Sequence, residues 1–135
     1  MEASINYPAV AVTAIVMFTL GALWYSPALF WKKWKSLVRI TDEEVRSGKP
    51  VKIYGLTFLA FFVAAFVLAQ VLRLTNPATV LEGIQTAVWI WTGFVASTML
   101  IHNLTQRKSL ALWAIDAGYQ LVAFCAAGAI LTLWK

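Results

Sequence analysis

At 135 residues the chain has the length of one domain, yet 61% of it is hydrophobic and only 13% charged, against about 45–50% and about 25% in soluble domains. That excludes an ordinary water-soluble fold, which could hide one wholly apolar helix but not four. The net charge of +5 does not indicate nucleic acid either. Seven of the eleven basic residues crowd between Lys32 and Lys52 beside apolar runs, as in a juxtamembrane loop near anionic headgroups.

No charge occurs from Ala3 to Trp31, enough for a helix of about 20 residues to cross a bilayer. The first span is expected over about residues 8–30, with Pro8 in the first turn, where a missing N–H costs nothing. Glu2 precedes it without any Lys or Arg, so the basic start of a signal peptide is missing and the segment is expected to stay as a helix. The span ends in Gly21-Ala22-Leu23-Trp24-Tyr25-Ser26-Pro27, with aromatics suited to the membrane boundary and a proline that kinks or releases the helix. Phe30, Trp31, Trp34, Leu37 and Val38 then recur at helical spacing, which predicts a short amphipathic helix in the headgroup region. Lys32, Lys33 and Lys35 lie between them as candidate contacts to lipid headgroups. Thr41-Asp42-Glu43-Glu44 has the form of a capping box, and Gly48-Lys49-Pro50 that of a stop, so a second short helix is expected over Asp42–Ser47.

Three further apolar runs predict spans over about 53–72, 83–101 and 110–134, with Asn76-Pro77 turning between the second and third. The expected fold is an all-α membrane domain covering 1–135, with four transmembrane helices as two hairpins and an amphipathic interfacial segment between helices 1 and 2. Loops 31–52 and 102–109 hold nine basic residues, against Arg73 and Lys135 on the other side. Both loops are therefore expected in the cytoplasm and both termini outside. Gly21 and Gly93, each well along the first helix of its pair, form a faint internal repeat.

Asp116 is the chemical outlier, an acid inside the fourth apolar run, where a charged carboxylate costs about 2.5–3.5 kcal/mol on the insertion scale. It must face protein or water, or else be protonated. Tyr119 and Gln120 follow on the same face. Ser97, Thr98, His102 and Asn103 at the end of helix 3 are expected at the same depth, as are Trp24, Tyr25 and Ser26 from helix 1. A proton, cation or polar-solute site would use Asp116, Tyr119, Gln120, His102, Asn103, Trp24 and Tyr25; the bland alternative is an interhelical hydrogen-bond staple. One His and one carboxylate fall short of a zinc ligand set, and Cys125 is the only cysteine, so neither metal nor cofactor is expected. At the far end Glu82, beside Gln85 and Arg73, suits a helix N-terminus. Gly21, Gly93, Ser97, Ala123 and Ala127 are candidate positions for close helix packing.

The first-helix motif from Gly21 to Pro27, Leu29-Phe30, Trp34, Gly93-Phe94-Val95-Ala96, the block from Ile115 to Leu121 and Gly128-Ala129-Ile130 resemble the bacterial domain-of-unknown-function family 1761. The resemblance runs in order over nearly the whole chain. It implies a small four-helix integral membrane protein of a bacterial inner membrane, and it implies no reaction. Two readings follow. The first is a homo-oligomer that moves a proton, ion or small polar solute past Asp116. The second is a non-catalytic subunit whose basic aromatic loop binds lipid or a partner protein. A membrane enzyme would have only Asp116, His102, Tyr25 and Tyr119 as acid–base groups.

Overall fold

The computed structural model describes residues 4–135, and every regular element among them is helical. Four stretches are long and apolar enough to cross a membrane: Tyr7–Trp24, Pro50–Thr75, Val80–Thr105 and Leu110–Leu133, with mean hydropathies of 1.7, 2.3, 1.4 and 1.5.

Helix α1 (Tyr7–Trp24) starts where the Asn6 side chain accepts the Ala9 N–H at 3.1 Å, a cap that replaces a missing intrahelical acceptor. It stops at Trp24, not at Phe30 as the uncharged run suggests. Pro27 brings no N–H and disfavours helical backbone at Ser26. The chain there folds into tight turns, with Ser26 N–H on the Leu23 carbonyl and Phe30 N–H on the Trp24 carbonyl. Helix α2 (Trp31–Val38) follows and ends at Arg39 in left-handed backbone. In α3 (Asp42–Ser47) Thr41 accepts the Glu44 N–H at 3.1 Å. The Lys35 ammonium is paired with the Asp42 carboxylate, joining α2 to α3.

Helix α4 (Pro50–Thr75) begins on a proline and ends at Asn76, whose φ of 45° supplies the left-handed turn, a conformation asparagine tolerates better than most residues. The third span opens as α5 (Val80–Ile90), where Thr79 accepts the Glu82 N–H and the Glu82 carboxylate accepts the Ala78 N–H. A π-helical stretch, Trp91–Ala96, interrupts it before α6 (Ser97–Thr105) completes the span. Helix α7 (Leu110–Leu133) is capped by Ser109, which accepts the Leu112 N–H.

Helix α7 is the centre of the bundle. It packs most extensively against α5 and α1, and α1 also packs on α4. Small residues set the tightest approach: a Cβ on Gly83 would lie 1.8 Å from Thr132 Oγ1, and one on Gly128 would lie 2.8 Å from the Gly83 carbonyl oxygen. Ala123 and Ala127 are fully buried in the same helix. Gly93 behaves differently, because a Cβ there would meet nothing within 4 Å, and Ser97 next to it in the helix is exposed. At one end of the bundle Asn6 donates to the Trp134 carbonyl and Lys135 to the Pro77 carbonyl. That gathers the two described ends and the α4–α5 connection there.

Candidate functional site

The end of α1 and the middle of α7 meet where Gly21 faces Tyr119. The missing side chain lets the Tyr119 ring, 4% exposed, cross α1 and donate its hydroxyl to the Met17 carbonyl at 2.6 Å. One helical turn before Tyr119, Asp116 accepts the Tyr25 hydroxyl at 2.6 Å, a length typical of a charge-assisted bond. The release of the chain from helix at Trp24 brings Tyr25 to this place, and α2 then lays Trp34 edge-on to Tyr25, 5.8 Å between ring centroids. The Trp34 side chain lines the same cavity wall as the carboxylate.

Backbone carbonyls on either side of Asp116 are taken by indoles. Trp24 donates to the Ile115 carbonyl at 3.0 Å and Trp91 to the Ala117 carbonyl at 2.9 Å. Near the start of α7, Trp113 donates to the Ala96 carbonyl at 2.9 Å. Helical carbonyls already hold an intrahelical donor, so these are second acceptances at free lone pairs. Each half-buried indole N–H thereby finds a protein partner. The π-helical stretch carries Trp91 at its first residue and Ala96 at its last, so it supplies both its own indole and an acceptor to this arrangement.

Asp116 lies on the wall of a partly open cavity of about 930 Å³. Its walls come from the end of α1, from α2, from the start of α4 through Tyr54, Thr57 and Phe61, and from Tyr119 and Gln120 of α7. Asp116 is the single charged residue of the lining, which contains no Lys, Arg or His. Ser26 also lines it, and its buried hydroxyl has no hydrogen-bond partner. Among the described residues no three His, Cys, Asp or Glu side chains converge as a metal site would require.

Five of the seven residues expected at the polar cluster therefore come together: Asp116, Tyr119, Gln120, Tyr25 and, through its indole, Trp24. His102 and Asn103 do not. His102 is exposed and outside the cavity lining. With its amide turned to satisfy both ends, Asn103 donates to the Met99 carbonyl and accepts the Trp113 N–H, tying α6 to α7. Sequence reasoning missed Trp91 and Trp113 as supports and Tyr54 and Thr57 as wall residues. The signal for the last two was present, since polar side chains three apart open an otherwise apolar span.

No curated protein and no solved structure matches the chain. One family does, described as "Protein of unknown function (DUF1761)", over residues 8–132, from the first turn of α1 to near the end of α7. On a match of that extent, the chain belongs to this family of unknown function.

Proposed function

We propose that the protein moves a proton, an ion or a small polar solute across a bacterial cytoplasmic membrane, with Asp116 as the site that takes it up. One observation carries this reading: Asp116 is the lone charge on the wall of a cavity built inside apolar helices. A carboxylate so placed is costly unless a proton or a cation accompanies it. Tyr25 holds one of its oxygens by hydrogen bond, so the group is oriented before any ligand arrives. In this proposal loops 31–52 and 102–109 face the cytoplasm, both termini lie outside, and a homo-oligomer completes the path. The test is flux in proteoliposomes with proton, sodium and potassium gradients. Wild-type protein is expected to carry at least one of these and Asp116→Asn to lose it. Flux that persists unchanged in the variant removes Asp116 as the site, and no flux of any tested ion through wild-type protein defeats the reading for the proton and these ions.

A second reading draws support from α2, where Lys32 and Lys33 are exposed while Trp31 and Trp34 turn toward the cavity. In it α2 lies in the headgroup region as an amphipathic helix and the lysines hold anionic lipid. Lys35 is engaged by Asp42, which leaves Lys32 and Lys33 as the main headgroup contacts. Replacing both by Gln is expected to lower the anionic lipid that co-purifies with the protein; unchanged lipid content counts against this role.

A further inference from the structure

We propose that the cavity beside Asp116 binds an organic cation with a bulky apolar body, its charge held against the carboxylate and its body against the surrounding rings. The inference rests on the reading of Asp116 as the site and specifies what the site takes.

Chemistry and shape point the same way. The volume of about 930 Å³ falls in the range of small-molecule pockets, about 300–1,000 Å³. It is too large for a bare ion. A hard divalent cation usually takes several carboxylates, and Asp116 is the single carboxylate on this wall. The lining offers aromatic faces and edges instead: Tyr25, Trp31, Trp34, Tyr54 and Tyr119 all contribute. Trp31 and Trp34 stack at 5.6 Å, and Tyr25 meets Tyr119 edge-on at 5.5 Å. Rings grouped around a cation attract it through their quadrupoles, most strongly where water is excluded. Charge complementarity decides between occupants. An anionic headgroup would have to sit against Asp116 with no basic side chain in the lining to offset the repulsion. Of the α2 lysines, Lys32 and Lys33 are exposed and Lys35 is held by Asp42, and none of the three lines the cavity.

The test uses the full chain in a neutral detergent and two ions of nearly equal shape and opposite charge, tetraphenylphosphonium and tetraphenylborate, titrated by calorimetry. Saturable binding of the phosphonium and much weaker binding of the borate are expected. Asp116→Asn is expected to weaken the phosphonium by about tenfold or more, as for a desolvated charge contact that loses its partner. Trp31→Leu, which leaves Asp116 and its hydrogen bonds in place, is expected to weaken it by about two- to thirtyfold through the lost ring. Equal binding of both ions, or stronger binding of the borate, overturns the proposal and marks the cavity as a lipid or general apolar pocket. So does phosphonium binding that Asp116→Asn leaves intact. The comparison of the two ions needs no variant, so it decides even where Asp116→Asn fails to fold. Ion flux that depends on Asp116 without phosphonium binding sinks the organic cation and spares the transport reading. Asp116-dependent phosphonium binding without any flux does the reverse.

Discussion

Gly21 has no side chain where Tyr119 needs the room. A Cβ there would lie 2.7 Å from the Tyr119 hydroxyl oxygen and 2.9 Å from the ring carbon that bears it. The ring cannot simply swing away, because its hydroxyl is bonded to the Met17 carbonyl and its body is buried. Gly21→Ala is therefore expected to destabilise the protein by about 1–3 kcal/mol, the usual cost of overpacking a core. Thermal unfolding in detergent measures it. Tyr119→Phe in the same chain is expected to relieve part of the loss, because the nearest atom is gone while the ring remains. If the two changes add independently, the steric account of Gly21 is wrong.

At the scale of elements, the same residue type has two opposite meanings. Gly83→Ala forces α5 away from Thr132 and Gly128 of α7, so a large loss of stability is expected, again about 1–3 kcal/mol or more. Gly93→Ala meets nothing within the chain and gains helix propensity of about 1 kcal/mol at most, so the subunit is expected to keep or improve its stability. Should Gly93→Ala break an oligomer while leaving the subunit folded, that face joins copies of the chain. The α2–α3 connection has its own signature. Lys35 beside Asp42 holds that carboxyl below its ordinary value of 3.8. A group whose pKa is depressed on folding stabilises above its unfolded pKa, and the contribution fades as pH falls through the folded one. Amide exchange over residues 31–47 is expected to be insensitive to this pair near neutral pH and to speed up, beyond its intrinsic pH trend, only below about pH 4, the ordinary range of an aspartate. Asp42→Asn should remove that acid step, and a step that survives it belongs to another group.

Helix lengths and caps also explain what could be read from the chain and what could not. Runs of apolar residues between charged loops locate the four spans, since hydropathy and length suffice for that. The meeting of Tyr25 with Asp116 could be anticipated from depth alone, by counting turns inward from the charged loops. His102 could not be placed this way. The π-helical stretch Trp91–Ala96 rotates the face of every later residue in the span relative to regular 3.6-residue periodicity, and His102 comes out on the exposed side. The early end of α1 was foreshadowed by Pro27, but only the tertiary packing shows that the released turn delivers Tyr25 and Trp34 to the carboxylate. Gly83 was hidden for a different reason. It pairs with Gly128 from another helix, and a single sequence does not show which small residues will face one another.

Across the whole molecule the two ends of the bundle differ in kind. One holds the cavity, α2, α3 and the basic connections; the other holds Asn6 bonded to Trp134 and Lys135 bonded to Pro77. The proposed orientation puts the first of these in the cytoplasm. In a Cys125→Ser background, Ala78→Cys is expected to react with a membrane-impermeant maleimide added to intact cells, and Ser47→Cys only after permeabilisation. The opposite pattern inverts the topology.

The indole bonds onto α7 bear on how such a site could open. Trp24 and Trp91 grip its backbone on both sides of Asp116, and its own Trp113 grips the π-helical stretch. Backbone acceptors leave no rotamer to adjust, so turning α7 about its axis would break three bonds of about 0.5–1.5 kcal/mol each. Helix α7 is in effect the axle, locked in azimuth with its carboxylate pointing in one direction. Helix α2 meets the cavity through Trp31 and Trp34 and is joined to α3 by an ion pair near the surface. A swing of that short helix, which breaks none of the three indole bonds, would carry two rings away from Asp116 while the acid itself stays still.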